Sequence, residues 1–135
     1  MAAVHTVNKL LAATGAIIGT YTVGSNPYAI AFDGTNIWVA NQLSNNVTKL
    51  LASTGDTVGT YPAGTKPQSI AFDGANIWVG NFGSGNVTEL LAATGATVGT
   101  YPVGKYPAGV AFDGANIWVS NGGDDTVTKI SPAAQ

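Results

Sequence analysis

The chain has 135 residues, a formal net charge of −2 and only 9% charged residues, against roughly 25% in ordinary soluble domains. It has no cysteine and no arginine, and its lysines are Lys9, Lys49, Lys66, Lys105 and Lys129. These facts exclude disulfides, thiolate metal ligands and a thiol nucleophile, and they argue against a nucleic-acid partner, because phosphate recognition needs a dense basic surface. No apolar run approaches the ~18 residues of a membrane helix, so no membrane partner is expected. The opening "MAAVHTVN" lacks the charged and apolar regions of a signal peptide.

In chain order, the first two predicted strands are Val4–Leu11 and Ala16–Val23, joined by "AATG". "KLLAATGAII" begins like a helix, but the run is short, Gly15 interrupts it and β-branched residues follow, so strand, turn and strand are expected. Two full units follow, residues 24–63 and 64–103, and then an incomplete one, 104–131. In the second full unit the strand-like runs are "SIAF" (69–72), "NIWVG" (76–80), "NVTELL" (86–91) and "ATVGTYPV" (96–103), here called A, B, C and D. Asp73-Gly74 between A and B is a tight-turn signal. "NFGSG" separates B from C, "AATG" separates C from D, and Pro107 opens the next A, where a missing amide donor is tolerated.

The period is 40 residues without insertions: Trp38, Trp78 and Trp118 recur at that spacing, as do Asp33, Asp73 and Asp113, and Pro27, Pro67 and Pro107. Four short strands per 40-residue unit is the pattern of a β-propeller blade. The nearly continuous apolar runs "IAF" and "IWVA" suit sheets covered on both faces. The expected fold is therefore all-β, a propeller of four-stranded blades in a single repeat domain.

The stretch "VGSNPYAIAFDGTNIWVAN" (23–41) resembles the YVTN-type β-propeller repeat, with "IWVAN", "IWVGN" and "IWVSN" standing where that family has "VYVTN". The resemblance covers nearly the whole chain and departs in a shorter A–B turn. It implies the propeller fold and leaves activity open, because this fold carries many functions. The copies are alike enough to suggest recent amplification or design.

The strand tally is three A, three B, four C and three D. About three blades do not make a ring, since closed rings typically have 4–8. An open arc would leave two apolar faces in water and strand edges unpaired. Head-to-tail association of copies removes both problems if the rotation closes. Two chains give six blades and three give nine, so a homodimer is the expected partner arrangement, with one surplus C strand per chain, either 4–11 or 126–131.

Within the chain, the A–B and C–D turns are nearly invariant, whereas the D–A connections ("SNPYA", "TKPQS", "KYPAG") and B–C loops ("QLSNN", "FGSGN", "GGDDT") differ. In a propeller those two sets share one rim. That rim would carry Tyr28, Gln42, Leu43, Lys66, Gln68, Phe82, Lys105, Tyr106, Asp124 and Asp125, as a surface for a small ligand, a glycan or a protein, or simply as loops free to vary.

The tryptophans share one mid-strand context and are expected between blades as core. Asp33, Asp73 and Asp113 each precede Gly in a turn and are expected to cap their own backbone. Asn41, Asn81 and Asn121 close strand B and are expected to bond neighbouring backbone. Asp124-Asp125 lacks the further oxygen ligands a metal needs, and "TGATVGT" lacks the Lys-Ser/Thr and helix of a phosphate loop. "NVT" at 46–48 and 86–88 fits the glycosylation acceptor pattern but recurs with the repeat. With one histidine, His5, and one glutamate, Glu89, no nucleophile–base–orienter set is visible. Similar propeller enzymes, such as the virginiamycin B lyase family, use His and Glu side chains and a divalent metal. The matching strands here offer Ile, Ala and Phe, so no enzyme activity, cofactor or metal is expected, with a degenerate lyase as the alternative.

Overall fold

The structure is a computed structural model describing residues 5–132, and all its regular elements are strands. β1 (Thr6–Leu10) and β2 (Ile17–Thr22) form sheet I. Sheet II contains β3 (Pro27–Phe32), β4 (Asn36–Asn41), β5 (Asn46–Leu51) and β6 (Thr57–Pro62) in sequence order. Sheet III repeats this with β7 (Pro67–Phe72), β8 (Asn76–Asn81), β9 (Asn86–Leu91) and β10 (Thr97–Pro102). Sheet IV has β11 (Pro107–Phe112), β12 (Ile117–Asn121) and β13 (Thr126–Ile130). Neighbouring strands are antiparallel throughout. Sheet I thus supplies the C and D strands of one unit, and sheet IV the A, B and C strands of another.

The boundaries differ slightly from the sequence expectation. β7 begins two residues before "SIAF", at Pro67, and β3 and β11 likewise begin at their prolines, as expected for Pro107, since a first strand residue needs no amide donor. The B strands run on to their asparagines, and β2 and β10 are shorter than Ala16–Val23 and 96–103. Val4 lies outside the described residues. The helix-like "KLLAATG" ends β1 with Lys9 and Leu10 and turns at Leu11–Gly15, where Gly15 takes φ 77° and its N–H donates to the Leu11 carbonyl at 2.7 Å; a residue with a Cβ adopts that conformation at a cost. Register shifts recur at the same place in each A–B pair and each complete C–D pair, and such bulges increase strand twist.

The sheets pack face to face, with β7 lying against both β3 and β11. Trp38, Ala40 and Val47 of sheet II meet Ile77, Val79 and Leu90 of sheet III in one apolar cluster. Trp78 and Val87 of sheet III meet Ile117 and Val119 of sheet IV in a second. β8, between them, is buried at every position, which is why its sequence does not alternate.

Each turn aspartate does two jobs. The Asp73 Oδ1 accepts from the Ala75 and Asn76 backbone N–H groups at 2.9 and 2.7 Å, and its Oδ2 accepts from the Trp78 indole at 2.7 Å. Asp33 and Asp113 do the same for Trp38 and Trp118. Asn81 accepts from the Gly64 N–H at 3.0 Å and donates to Asn86 and Thr88. Asn41 repeats this with Gly24, Asn46 and Thr48. Asn41 and Asn81 thus tie each unit to the connection that enters it, as expected; Asn121 donates to Thr126 and Thr128, but its Oδ1 accepts no bond among the described residues, contrary to the expectation.

The tryptophan expectation fails at one position. Trp38 and Trp78 are fully buried, but Trp118 is 39% exposed. Its local sequence is the same. It lies on the face of sheet IV that no further sheet covers among the described residues.

Candidate functional site

The connections between sheets and the B–C loops do share one rim. The Gln42 and Leu43 N–H groups donate to the Asn26 and Ser25 carbonyls, Phe82 and Gly83 to Lys66 and Thr65, and Gly122 and Gly123 to Tyr106 and Lys105. The invariant turns meet at the other end, where the Ala52 and Ala92 N–H groups donate to the Thr35 and Ala75 carbonyls at 3.0 and 3.1 Å.

The rim residues form separate local groups. Phe82 and Tyr106 stack with centroids 4.8 Å apart and planes at 16°, and the Lys105 ammonium lies 5.9 Å from the Tyr106 ring. Asp124 closes that group, accepting from the Lys105 N–H at 3.1 Å and the Thr126 hydroxyl at 2.6 Å. The Thr126 hydrogen bond, joined by the one from Lys105, lowers its pKa. Gln42 bonds the Asn26 amide, and the Lys66 N–H donates to Asn45 at 3.0 Å. Tyr28 and Leu43 are exposed, Gln68 is half-buried, and Asp125 takes φ 59°. Lys66 and Tyr106 hold φ 55° and 56°, a left-handed conformation that Asn26 adopts more cheaply at the equivalent position. Among the described residues no three His, Asp or Glu side chains cluster in a way that could hold a metal.

The invariant end carries the perturbed turn carboxylates. Burial pushes the Asp33 pKa up, but hydrogen bonds from the Trp38 indole and the Asn36 and Thr35 backbone outweigh it and lower the net value. At Asp113 the Trp118 indole bond, then the Asn116 and Ala115 N–H groups, bring the pKa down to about 2.

Sequence reasoning missed two buried charged side chains in the C strands. Lys49 lies 5.0 Å from the Trp38 ring centroid and donates to the Ala92 carbonyl of the next sheet at 2.8 Å. Glu89, in the equivalent position, accepts instead from Asn76 at 2.6 Å and from the Tyr101 hydroxyl at 2.8 Å. The Glu89 hydrogen bond, reinforced by burial, raises the Tyr101 pKa.

The two end faces are apolar and open. On sheet II, Ile30 and Phe32 are 57% and 56% exposed, while their equivalents Ile70 and Phe72 pack on the core. Between sheets I and II lies a cavity of about 220 Å³, lined by Val7, Lys9, Tyr21, Ile37 and Leu50 among others. On sheet IV, Trp118 and Val127 face outward.

By sequence, the chain matches no family model and no curated protein. Among solved structures it is similar to the hydrazine synthase of Kuenenia stuttgartiensis, at 25% identity and a TM-score of 0.75 over 82% of this chain and 34% of that one. It is also similar to a functionally unknown protein from Desulfotomaculum acetoxidans DSM 771, at 18% identity and a TM-score of 0.82 over 95% of this chain and 44% of that one. The chain therefore spans less than half the length of either. A third likeness is to the computationally designed Ika4 protein, at 14% identity and a TM-score of 0.84 over 96% of this chain and 81% of that one. Four-stranded antiparallel sheets in series are thus the architecture the chain shares with known structures.

Proposed function

We propose that the chain is a β-propeller segment of the YVTN-type repeat that joins head to tail with a second copy into a closed six-bladed ring, and that the ring is a non-catalytic scaffold. The observation that carries this reading is the pair of open end faces. Ile30 and Phe32 are exposed where Ile70 and Phe72 are covered, and Trp118 is exposed where Trp38 and Trp78 are buried. The two faces are the two halves of an interface that the chain already makes twice within itself. Monomers avoid contiguous apolar patches of this kind. Sedimentation equilibrium of the 135-residue chain tests the reading: twice the one-chain mass is expected, and one-chain mass at micromolar concentration refutes it.

A second reading, a small ligand held at the variable rim, is favoured by Lys66 and Tyr106. Each is kept at positive φ beside an aromatic or basic neighbour, and backbone strain of this kind collects at functional positions. Tyr106→Asn relieves the strain but removes the stacked ring. The reading expects this variant to lose binding in a glycan and small-acid screen while folding normally; a screen in which wild type binds nothing refutes it.

A further inference from the structure

Resting on the ring reading above, we infer that the joint between copies is a strand exchange. The β1 of one copy replaces β13 on the β12 of the other, and Trp118 of that other copy enters the cavity between sheets I and II.

The repeat itself identifies the occupant of the cavity. Adding one period to Tyr21, Ile37 and Leu50 gives Tyr61, Ile77 and Leu90, and these surround Trp38. Adding another gives Tyr101, Ile117 and Ile130, which pack with Trp78. Among the described residues no tryptophan stands against Tyr21, Ile37 and Leu50 as Trp38 and Trp78 stand against their equivalents, and Trp118 is the exposed member of the series. Lys9 is already in position for it. It donates to the Ala52 carbonyl at 3.0 Å as Lys49 does to Ala92, and Lys49 lies beside the Trp38 ring.

Both β1 and β13 are C strands, and only one can pair with β12 in a closed ring. Three observations favour β1. The first is docking: Lys9 already spans to sheet II, and Tyr21 packs on Gly55 as Tyr61 does on Gly95. The second is chemistry: the Ala52 and Ala92 N–H groups bond the A–B turn of their own unit, and Ala12 keeps this donor, whereas the equivalent residue after β13 is Pro132, which has none. The third is an open glycine: Gly55 and Gly95 are covered by tyrosines, but among the described residues Gly15 has nothing within 4 Å of where a Cβ would stand, and Tyr101 is the tyrosine the series assigns to it. The exchange swaps one antiparallel ladder for another of the same register, so the backbone bonds nearly cancel, and burial of Trp118, Ile30 and Phe32 supplies the drive.

In register, Ser120 pairs with Val127 within the chain, as Ala40 pairs with Val47; after exchange Ser120 faces Val7 of the second copy. In the full-length, cysteine-free chain, Val7→Cys with Ser120→Cys should oxidise to a covalent dimer, and Ser120→Cys with Val127→Cys should not link while the protein is associated. Within-chain linking of the second pair in the associated protein, or equal linking of both pairs, overturns the exchange. Charge substitutions give an independent readout by sedimentation velocity. Val47 and Val87 are fully buried, so the ring strand tolerates no carboxylate there. Val7→Asp should weaken association by about 100-fold or more, and Val127→Asp should stay within about threefold of wild type. The reverse order shows that β13 is the ring strand. Wild type sedimenting at one-chain mass sinks the ring reading and this one together; a dimer with the wrong strand linked sinks only this one.

Discussion

Trp78 is the residue on which the packing between sheets III and IV turns. It is fully buried, stacks on Tyr101 at 5.6 Å and 30°, and packs with Val87, Ile117 and Val119. An aromatic side chain of this size buries 150–250 Å², worth about 4–6 kcal/mol at about 25 cal/mol per Å². Alanine retains a little of that and leaves a cavity, so Trp78→Ala should cost about 3–5 kcal/mol. Trp78→Phe separates the ring from its N–H. Phenylalanine keeps most of the stacking and removes the 2.7 Å indole bond to Asp73. Asp73 retains its two backbone donors, so the loss should be smaller, about 1–2 kcal/mol. Urea unfolding followed by far-ultraviolet circular dichroism measures both at one fixed protein concentration, because association adds to apparent stability. A cost below about 1 kcal/mol for Trp78→Ala would refute the core assignment. Equal costs for the two variants would show that the Asp–Trp bond, rather than packing, holds the junction.

Two further outcomes follow from the turns. Asp33 and Asp113 have folded pKa values below the ordinary 3.8, Asp113 at about 2, so they stabilise the fold above the unfolded value and lose that contribution as pH falls through the folded one. The urea midpoint should stay flat from pH 7 to about 4.5, fall between about 4 and 2, and fall less steeply in Asp113→Asn. A wild-type midpoint already falling at pH 6, or an unchanged slope in the variant, contradicts this. At Gly64, an added Cβ would stand 2.7 Å from the Asn81 Cγ, so Gly64→Ala should push Asn81 off the Gly64 N–H and cost about 1–3 kcal/mol by thermal or urea unfolding. A neutral result would mean that the Asn81 contacts do not constrain the connection.

The strand order, the turn at Asp73-Gly74 and the sharing of one rim by the variable loops were all legible in the sequence, because a 40-residue period and turn chemistry act locally. The indole bond back to the turn was not, since it appears only when β7 and β8 pair in register and bring Trp78 beside Asp73. Burial of Lys49 and Glu89 was hidden because charged residues ordinarily face water; what admits them is a carbonyl of the next sheet in one case, and Asn76 with Tyr101 in the other. Trp118 shows a different limit. Its neighbours in sequence match those of Trp38 and Trp78, and its exposure comes from its place at the end of the series, which no local pattern records. Among the rim residues, the sequence pointed to a surface but not to the Phe82–Tyr106 stack, which joins loops from different units.

The tyrosine–glycine contacts, Tyr21 on Gly55 and Tyr61 on Gly95, have a consequence for how such a molecule changes size. Each couples a unit only to its immediate successor, so energy accumulates unit by unit, as in other stacked arrays. Adding one 40-residue unit would therefore repeat the same contact, while a closed ring would have to reset the angle between its blades to admit it. Copy number becomes a variable that inheritance can alter in a single event, while the chemistry at every boundary stays as it was.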